Sequence, residues 1–275
     1  MSLDNNVVGV NEIAMIKRVR FFCGLTSVFF LLSFSVQAST QEACNIDSSV
    51  LSGHYEMSTV KKHARARPTY QRVNVEAPFV FWRNKGEVAY QYPDKKITEI
   101  WNQQSNGRIR PIRYFDEYQR GIEYQANEVG GDKESREWSE KFQLISNAFK
   151  DSMVLEKTSG TGCERLEFYI KKDQHQTYRM AWSPSLALPV EYKEMSVHRT
   201  FRMQLVKQVT HSETVNTFFT VRGAYQTTDY ADIGDNENDP FLLGMINLGF
   251  IEHGASGFYN MNGELMATQP SRHQH

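Results

Sequence analysis

Between His54 and Gln125, apolar and polar side chains alternate in short runs broken by polar punctuation. YQRVNVEA (70 to 77), FVFWR (79 to 83), EVAYQY (87 to 92), ITEIWNQ (97 to 103), RIRPIRYF (108 to 115) and GIEYQ (121 to 125) each have strand length and strand composition. Asn84-Lys85-Gly86, Pro93-Asp94-Lys95 and Ser105-Asn106-Gly107 supply turns between them, so consecutive hairpins are expected. Over residues 132 to 151 the period changes. Trp138, Phe142, Ile145 and Phe149 recur at i, i+4, i+7 and i+11, which predicts one long amphipathic helix. Strands are expected again at 163 to 170, 177 to 183, 189 to 195, 200 to 209 and 217 to 222. Many short strands around one helix, with no Gly/Ser/Pro-rich linker, predict a single α+β domain with an antiparallel sheet.

Composition changes this picture mainly at the N-terminus. Lys17, Arg18 and Arg20 precede the apolar run Phe21 to Val36, and Val36-Gln37-Ala38 ends in a small residue. This is the pattern of a secretory signal peptide cut after Ala38. The run has 16 residues, shorter than the about 20 a membrane span needs, so an integral membrane protein is not expected. Residues 1–38 hold three of the 31 Lys/Arg and two of the 32 Asp/Glu, which leaves a mature net charge of −2. That balance argues against a nucleic-acid partner. Beyond residue 38 the cysteines are Cys44 and Cys163, and two cysteines in an exported, periplasmic chain predict one disulfide.

FVFWRNKGEVAYQYPDKKITEIWNQ (79 to 103) and YRMAWSPSLALPVEYKEMSVHRTFRMQLVKQV (178 to 209) resemble, respectively, the early hairpins and the late hairpin of the bacterial lipoprotein-carrier superfamily. Its members include the outer-membrane lipoprotein chaperones and acceptors of the Lol pathway. The resemblance covers about half of the mature chain and implies an α+β fold: a strongly curved antiparallel sheet, an unclosed β-barrel, covered by an amphipathic helix. It also implies that the concave apolar face receives lipid acyl chains. Two departures stand out: residues 45 to 53 make no convincing helix before the first strand, and residues 223 to 275 have no counterpart. The chain is thus divided into residues 1–38 (extension and signal peptide), 39–222 (curved sheet) and 223–275 (acidic loop, short helix and tail).

Candidate chemistry is sparse by comparison. Phe79, Phe81, Tyr90 and Tyr92 occur at period 2, as do Tyr114, Phe168 and Trp182 within their own alternating strands, so each set can line one side of the sheet. With Trp101, Trp138 and Phe142 they form the candidate ligand-binding set, and a closed core is the competing reading. Nucleophile motifs, a phosphate loop and a dinucleotide fingerprint are absent from the sequence, so an enzyme is not the first expectation. In DYADIGDNENDPF (229 to 241), Asp235, Glu237 and Asp239 alternate as calcium ligands would, but Pro240 and Ile246 stand where an EF-hand needs Gly and a carboxylate. A helix start accounts for more of these residues, with Asp239 as N-cap, Pro240 at the first position and an apolar stripe from Phe241. A basic stretch, KKHARARPTYQR from Lys61, reads as an exposed hairpin or a contact for acidic groups.

The leading expectation is a periplasmic binding or carrier protein for a hydrophobic ligand, a lipid or a lipidated protein's acyl chain, with no cofactor. One alternative is a structural or regulatory module that binds another envelope protein. The other is a metal-dependent enzyme, with Ca²⁺ the metal suited to the loop at 229–239.

Overall fold

The computed structural model describes residues 44–61, 72–125, 138–234 and 238–247, with the side chains of 72, 73 and 247 excepted. Its frame is a single sheet of twelve strands. In chain order these are β1 (Val50–Lys61), β2 (Arg72–Asn84), β3 (Glu87–Tyr92), β4 (Ile97–Gln103), β5 (Ile109–Phe115), β6 (Arg120–Glu123), β7 (Val154–Ser159), β8 (Leu166–Lys172), β9 (Gln176–Ser183), β10 (Leu188–Ser196), β11 (Arg199–Val209) and β12 (Gln226–Asp229). Four helices accompany them: α1 (Trp138–Gln143), α2 (Asn147–Asp151), α3 (Ser212–Gly223) and α4 (Pro240–Asn247).

The strand order is β12-β6-β5-β4-β3-β2-β1-β11-β10-β9-β8-β7, so the sheet is curved but unclosed. Two antiparallel meanders meet at β1, which pairs with β2 on one side and with β11 on the other. Only β12 runs parallel to its neighbour, β6. The tight β2–β3 hairpin is possible because Lys85 adopts φ 55° ahead of Gly86. In β1 the register with β11 slips between His54 and Tyr55, and that with β2 between Tyr55 and Met57. Such a bulge strengthens the local twist that a curved sheet requires.

Alternation gives each face its own core. One, which we call the inner face, carries Tyr55, Phe79, Phe81, Tyr90, Trp101, Trp182, Phe201 and their neighbours, and is covered by α1, α2 and α4. The outer face carries Val50, Ala89, Ile100 and Tyr114 against Val215, Phe218 and Phe219 of α3. There the Trp82 and Phe218 rings stack at 3.9 Å. Arg222 of α3 donates to Thr98 Oγ1 and pairs with Asp116 at 3.0 Å.

Several elements depart from the sequence pattern. The described residues of the segments 70–77 and 79–83, expected as two strands, belong to the one strand β2. Of the single helix expected over 132–151, residues 132–137 lie outside the described residues, and 138–151 form two short helices broken at Leu144, which sits at φ 68° and is fully buried. Ser146 restarts the chain as N-cap of α2, its Oγ accepting from the Phe149 amide at 3.1 Å. The four apolar positions nevertheless all reach the inner core, since the break changes direction without changing the buried side. Residues 217–222, expected as a strand, lie in α3, because Val215, Phe218, Phe219 and Arg222 follow helical spacing and are the buried positions. The exposed strand β7 and the short β12 carry no alternating signal and were not anticipated.

The disulfide expected between Cys44 and Cys163 is present, with Cα atoms 4.8 Å apart, and ties the arm before β1 to the β7–β8 turn. The described part of the C-terminal segment, 223–234 and 238–247, packs on the sheet: β12 extends it, and Ile233, Leu242 and Met245 join the inner core. The described residues contain no helix long and apolar enough to cross a membrane.

Candidate functional site

Eight of the ten candidate ligand-binding aromatics converge on the inner face. Phe79, Phe81, Tyr90, Tyr92, Trp101 and Trp182 are buried there, with Trp138 and Phe142 packed over them from α1. The set is densely interlocked: Tyr55 stacks on Phe79 at 5.2 Å, and Phe81 meets Tyr90 edge-on at 5.8 Å. The other two lie elsewhere. Tyr114 belongs to the outer core, against Tyr225 at 5.7 Å. Phe168 is paired with Ala181 while its neighbour Glu167 pairs with Trp182, so strand alternation turns Phe168 to the outer side, where Lys157 Nζ lies 4.8 Å from its ring.

Four cationic side chains that aromatic patterning did not reveal shape the inner face. Arg83 follows Phe79 and Phe81 at period 2, so the alternation that selected those rings also points Arg83 inward. It is fully buried, and its guanidinium donates to the carbonyls of Phe142 (2.6 Å) and Leu186, with the Phe142 ring 4.2 Å away. Burial draws its pKa down to about 10. Arg83 therefore clasps the end of α1 and the loop before β10 to the sheet. Lys141 is buried with Nζ 4.2 Å from the Trp101 ring, and its carbonyl accepts from the Tyr90 hydroxyl at 3.1 Å. Lys150 Nζ lies 5.0 Å from Tyr169 and 5.2 Å from Trp182, and Lys171 Nζ lies 5.1 Å from Phe149. A buried pair, Glu99 and Arg113 at 2.7 Å, completes the polar layer beneath α1.

Beside the break between α1 and α2, a depression of about 200 Å³ opens between the helices and β10. Glu140, Leu144, Ile145, Ser146, Phe149 and Tyr192 line it. Its walls are largely apolar, and burial raises the Tyr192 hydroxyl well above the ordinary tyrosine value, so its base is a neutral phenol. The volume is below the 300–1,000 Å³ of typical small-molecule sites, so it suits an alkyl chain end better than a whole lipid.

In the acidic stretch, Asp239 caps α4. Its Oδ1 accepts from the Phe241 amide at 2.9 Å, and its Oδ2 pairs with Arg120 at 2.8 Å. The Arg120 hydrogen bond is the main reason its carboxyl sits below the usual range. Asp229 likewise accepts from the Ala231 amide, at 3.1 Å, ahead of the turn at Tyr230–Asp232. Asp235 and Glu237, the other two proposed metal ligands, lie outside the described residues, as does most of the basic stretch after Lys61. Among the described residues no group of three His, Cys, Asp or Glu side chains could hold a metal ion.

No protein-family model matches the chain, and no curated protein does. Among solved structures, it is similar to PNGF-II (TM-score 0.30, 8% identity, 66% of this chain); it spans only 32% of the PNGF-II chain. It is also similar to an outer-membrane lipoprotein-sorting protein domain from Vibrio parahaemolyticus (TM-score 0.26, 6% identity, 64% of this chain and 92% of that one). A third is a DUF1329 family protein from Desulfovibrio piger (TM-score 0.26, 8% identity, 60% and 87%). Likenesses of this size say nothing of ligand or reaction.

Proposed function

We propose that the protein is a binding or carrier protein of the cell envelope that takes an apolar chain at the inner face of its sheet. The observation that carries this reading is the apolar depression at the α1–α2 break, which adjoins the aromatic core through Phe149 and Tyr192. The candidate aromatics themselves pack against one another in this state, so the depression is the entry and not the whole site. A longer chain would be accommodated by displacing the cover, and the cover is suited to that. It consists of helices of six and five residues, held by Arg83, by Tyr90 and by lysines over rings. Burial of alkyl chain supplies about 0.8 kcal/mol per methylene, enough to offset several such contacts. The Cys44–Cys163 disulfide suits an oxidising compartment such as the periplasm.

The test is native mass spectrometry of protein purified without detergent, beside an Ile145→Trp variant that fills the depression. Co-purified lipid in the wild type that is lost in the variant supports the reading. An empty wild type that also takes up no added dodecanol overturns it.

A further inference from the structure

Lys150 and Lys171 converge on α2 from different elements, one on the helix and one at the end of β8. Both are half-buried, and both ammonium groups rest against the rings of Phe149, Tyr169 and Trp182. Lys171 Nζ also donates to Ser152 Oγ at 2.8 Å. Among the described residues no carboxylate lies within 4.0 Å of either ammonium. Lys171 feels the exposed Asp173 only at longer range. Two half-buried cations with no direct ion pair among the described residues carry a desolvation cost that rings, one hydroxyl and that distant charge only partly offset.

The carboxylates facing this region are committed elsewhere or open to water. Glu167 accepts from Arg165 at 2.9 Å and from the Tyr169 hydroxyl at 2.7 Å. Glu194 accepts from Gln176 at 3.0 Å and lies 3.9 Å from Arg199. Asp151 and Glu140 are exposed, as is Asp173, the carboxylate whose charge reaches Lys171 and whose Oδ1 accepts from the His175 and Gln176 amides. The two lysines adjoin the apolar depression, since Phe149 is both a wall of that depression and the ring under Lys171.

We infer that the ligand is a single-chain anionic amphiphile, whose alkyl end occupies the depression and whose carboxylate or phosphate head pairs with Lys150 and Lys171. This rests on the proposed apolar-chain reading and specifies its ligand class. The anion would supply the close ion pair that neither lysine makes among the described residues and replace the weaker cation–ring contacts by charge-assisted hydrogen bonds. The same lysines help hold α2 on the sheet, so an arriving head group would loosen the cover at the point where the chain enters.

The test titrates the full chain with dodecanoate, dodecyl phosphate, dodecanol and dodecyltrimethylammonium, following tryptophan fluorescence and calorimetric heat. Dodecanoate or dodecyl phosphate should bind about tenfold or more tightly than dodecanol, and the cationic chain should bind most weakly. A preference for one anionic probe identifies the head as carboxylate or phosphate. The double variant Lys150→Gln with Lys171→Gln should lose that tenfold preference and bind dodecanoate, dodecyl phosphate and dodecanol with similar affinity, whatever the loosened cover does to all three. Equal binding of dodecanol and the anions by the wild type overturns the anion inference while leaving the apolar-chain reading intact. Tighter binding of the cationic chain also overturns it, and binding of none of the four overturns both. Because the wild-type series alone decides the charge preference, the outcome does not depend on the variant folding.

Discussion

Replacing Arg83 by methionine separates what this side chain does for the fold from what it does for the cover. Arg83 makes two well-placed hydrogen bonds, to the carbonyls of Phe142 and Leu186, and a longer one of 3.4 Å to Ala187. Charged donors of this kind contribute about 1.5–3 kcal/mol each, so the clasp is worth about 3–6 kcal/mol. Against this stands burial, which draws the guanidinium from its ordinary value down to about 10. At about 1.4 kcal/mol per tenfold change in protonation, that is a cost of about 3 kcal/mol, which methionine does not pay. The two effects offset, and global stability in a urea titration should fall by only about 0–3 kcal/mol. Locally no such cancellation occurs: two buried carbonyls lose their donor, and opening the cover to water becomes the way to satisfy them. Amide exchange across 138–151 should therefore accelerate by about a hundredfold or more, while exchange in β1 and β2 follows global stability. Unchanged exchange in 138–151 would refute the clasp, whatever happens to the midpoint.

Three further outcomes follow from single features. At Leu144 a positive φ reverses the usual helix preference: Leu144→Gly and Leu144→Ala both lose the buried side chain, yet glycine should be the milder by about 1 kcal/mol in chemical denaturation. A continuous helix would give alanine the advantage. Replacing Cys44 and Cys163 by serine opens a link across 119 residues and should cost about 4–5 kcal/mol in the chain-entropy model, read as a Tm lower in the variant than in the oxidised wild type. Asp239 has a folded pKa below its ordinary 3.8, so its contribution is present above that value and is lost as pH falls through the lowered folded one. The Tm difference between wild type and Asp239→Asn should thus be clear at neutral pH and shrink to nothing in acid; a difference constant with pH would contradict it.

Strand alternation carried most of the sheet into view. β3 and β4 match their sequence segments to the residue, because turn residues, Pro93-Asp94-Lys95 and Ser105-Asn106-Gly107, lie just beyond their ends. Asp239 and Pro240 likewise announced the start of α4, where one carboxylate both caps the helix and meets Arg120. What escaped was set by tertiary context. A period of 3.6 through Trp138, Phe142, Ile145 and Phe149 records which side is buried, and it survives a break in which Leu144 turns left-handed and Ser146 caps a new helix. The Thr217–Arg222 stretch is rich in β-branched and aromatic residues, but packing of Phe218 on Trp82 and of Arg222 on Thr98 favours the helix. Alternation also assigns faces only relative to a register. Tyr114 and Phe168 thus lie opposite the other aromatics, while Arg83, on the same parity as Phe81, was passed over because it is charged.

The central claim is that an apolar chain enters beside the break between α1 and α2. A dodecanoate analogue with a diazirine at the chain end, photolysed on the full chain and followed by peptide mass spectrometry, tests it directly. The account predicts labelling of Leu144, Ile145, Phe149 or Tyr192, competed by unmodified dodecanoate. Competed labelling confined to the outer face around α3, or labelling that excess dodecanoate does not reduce, would contradict it.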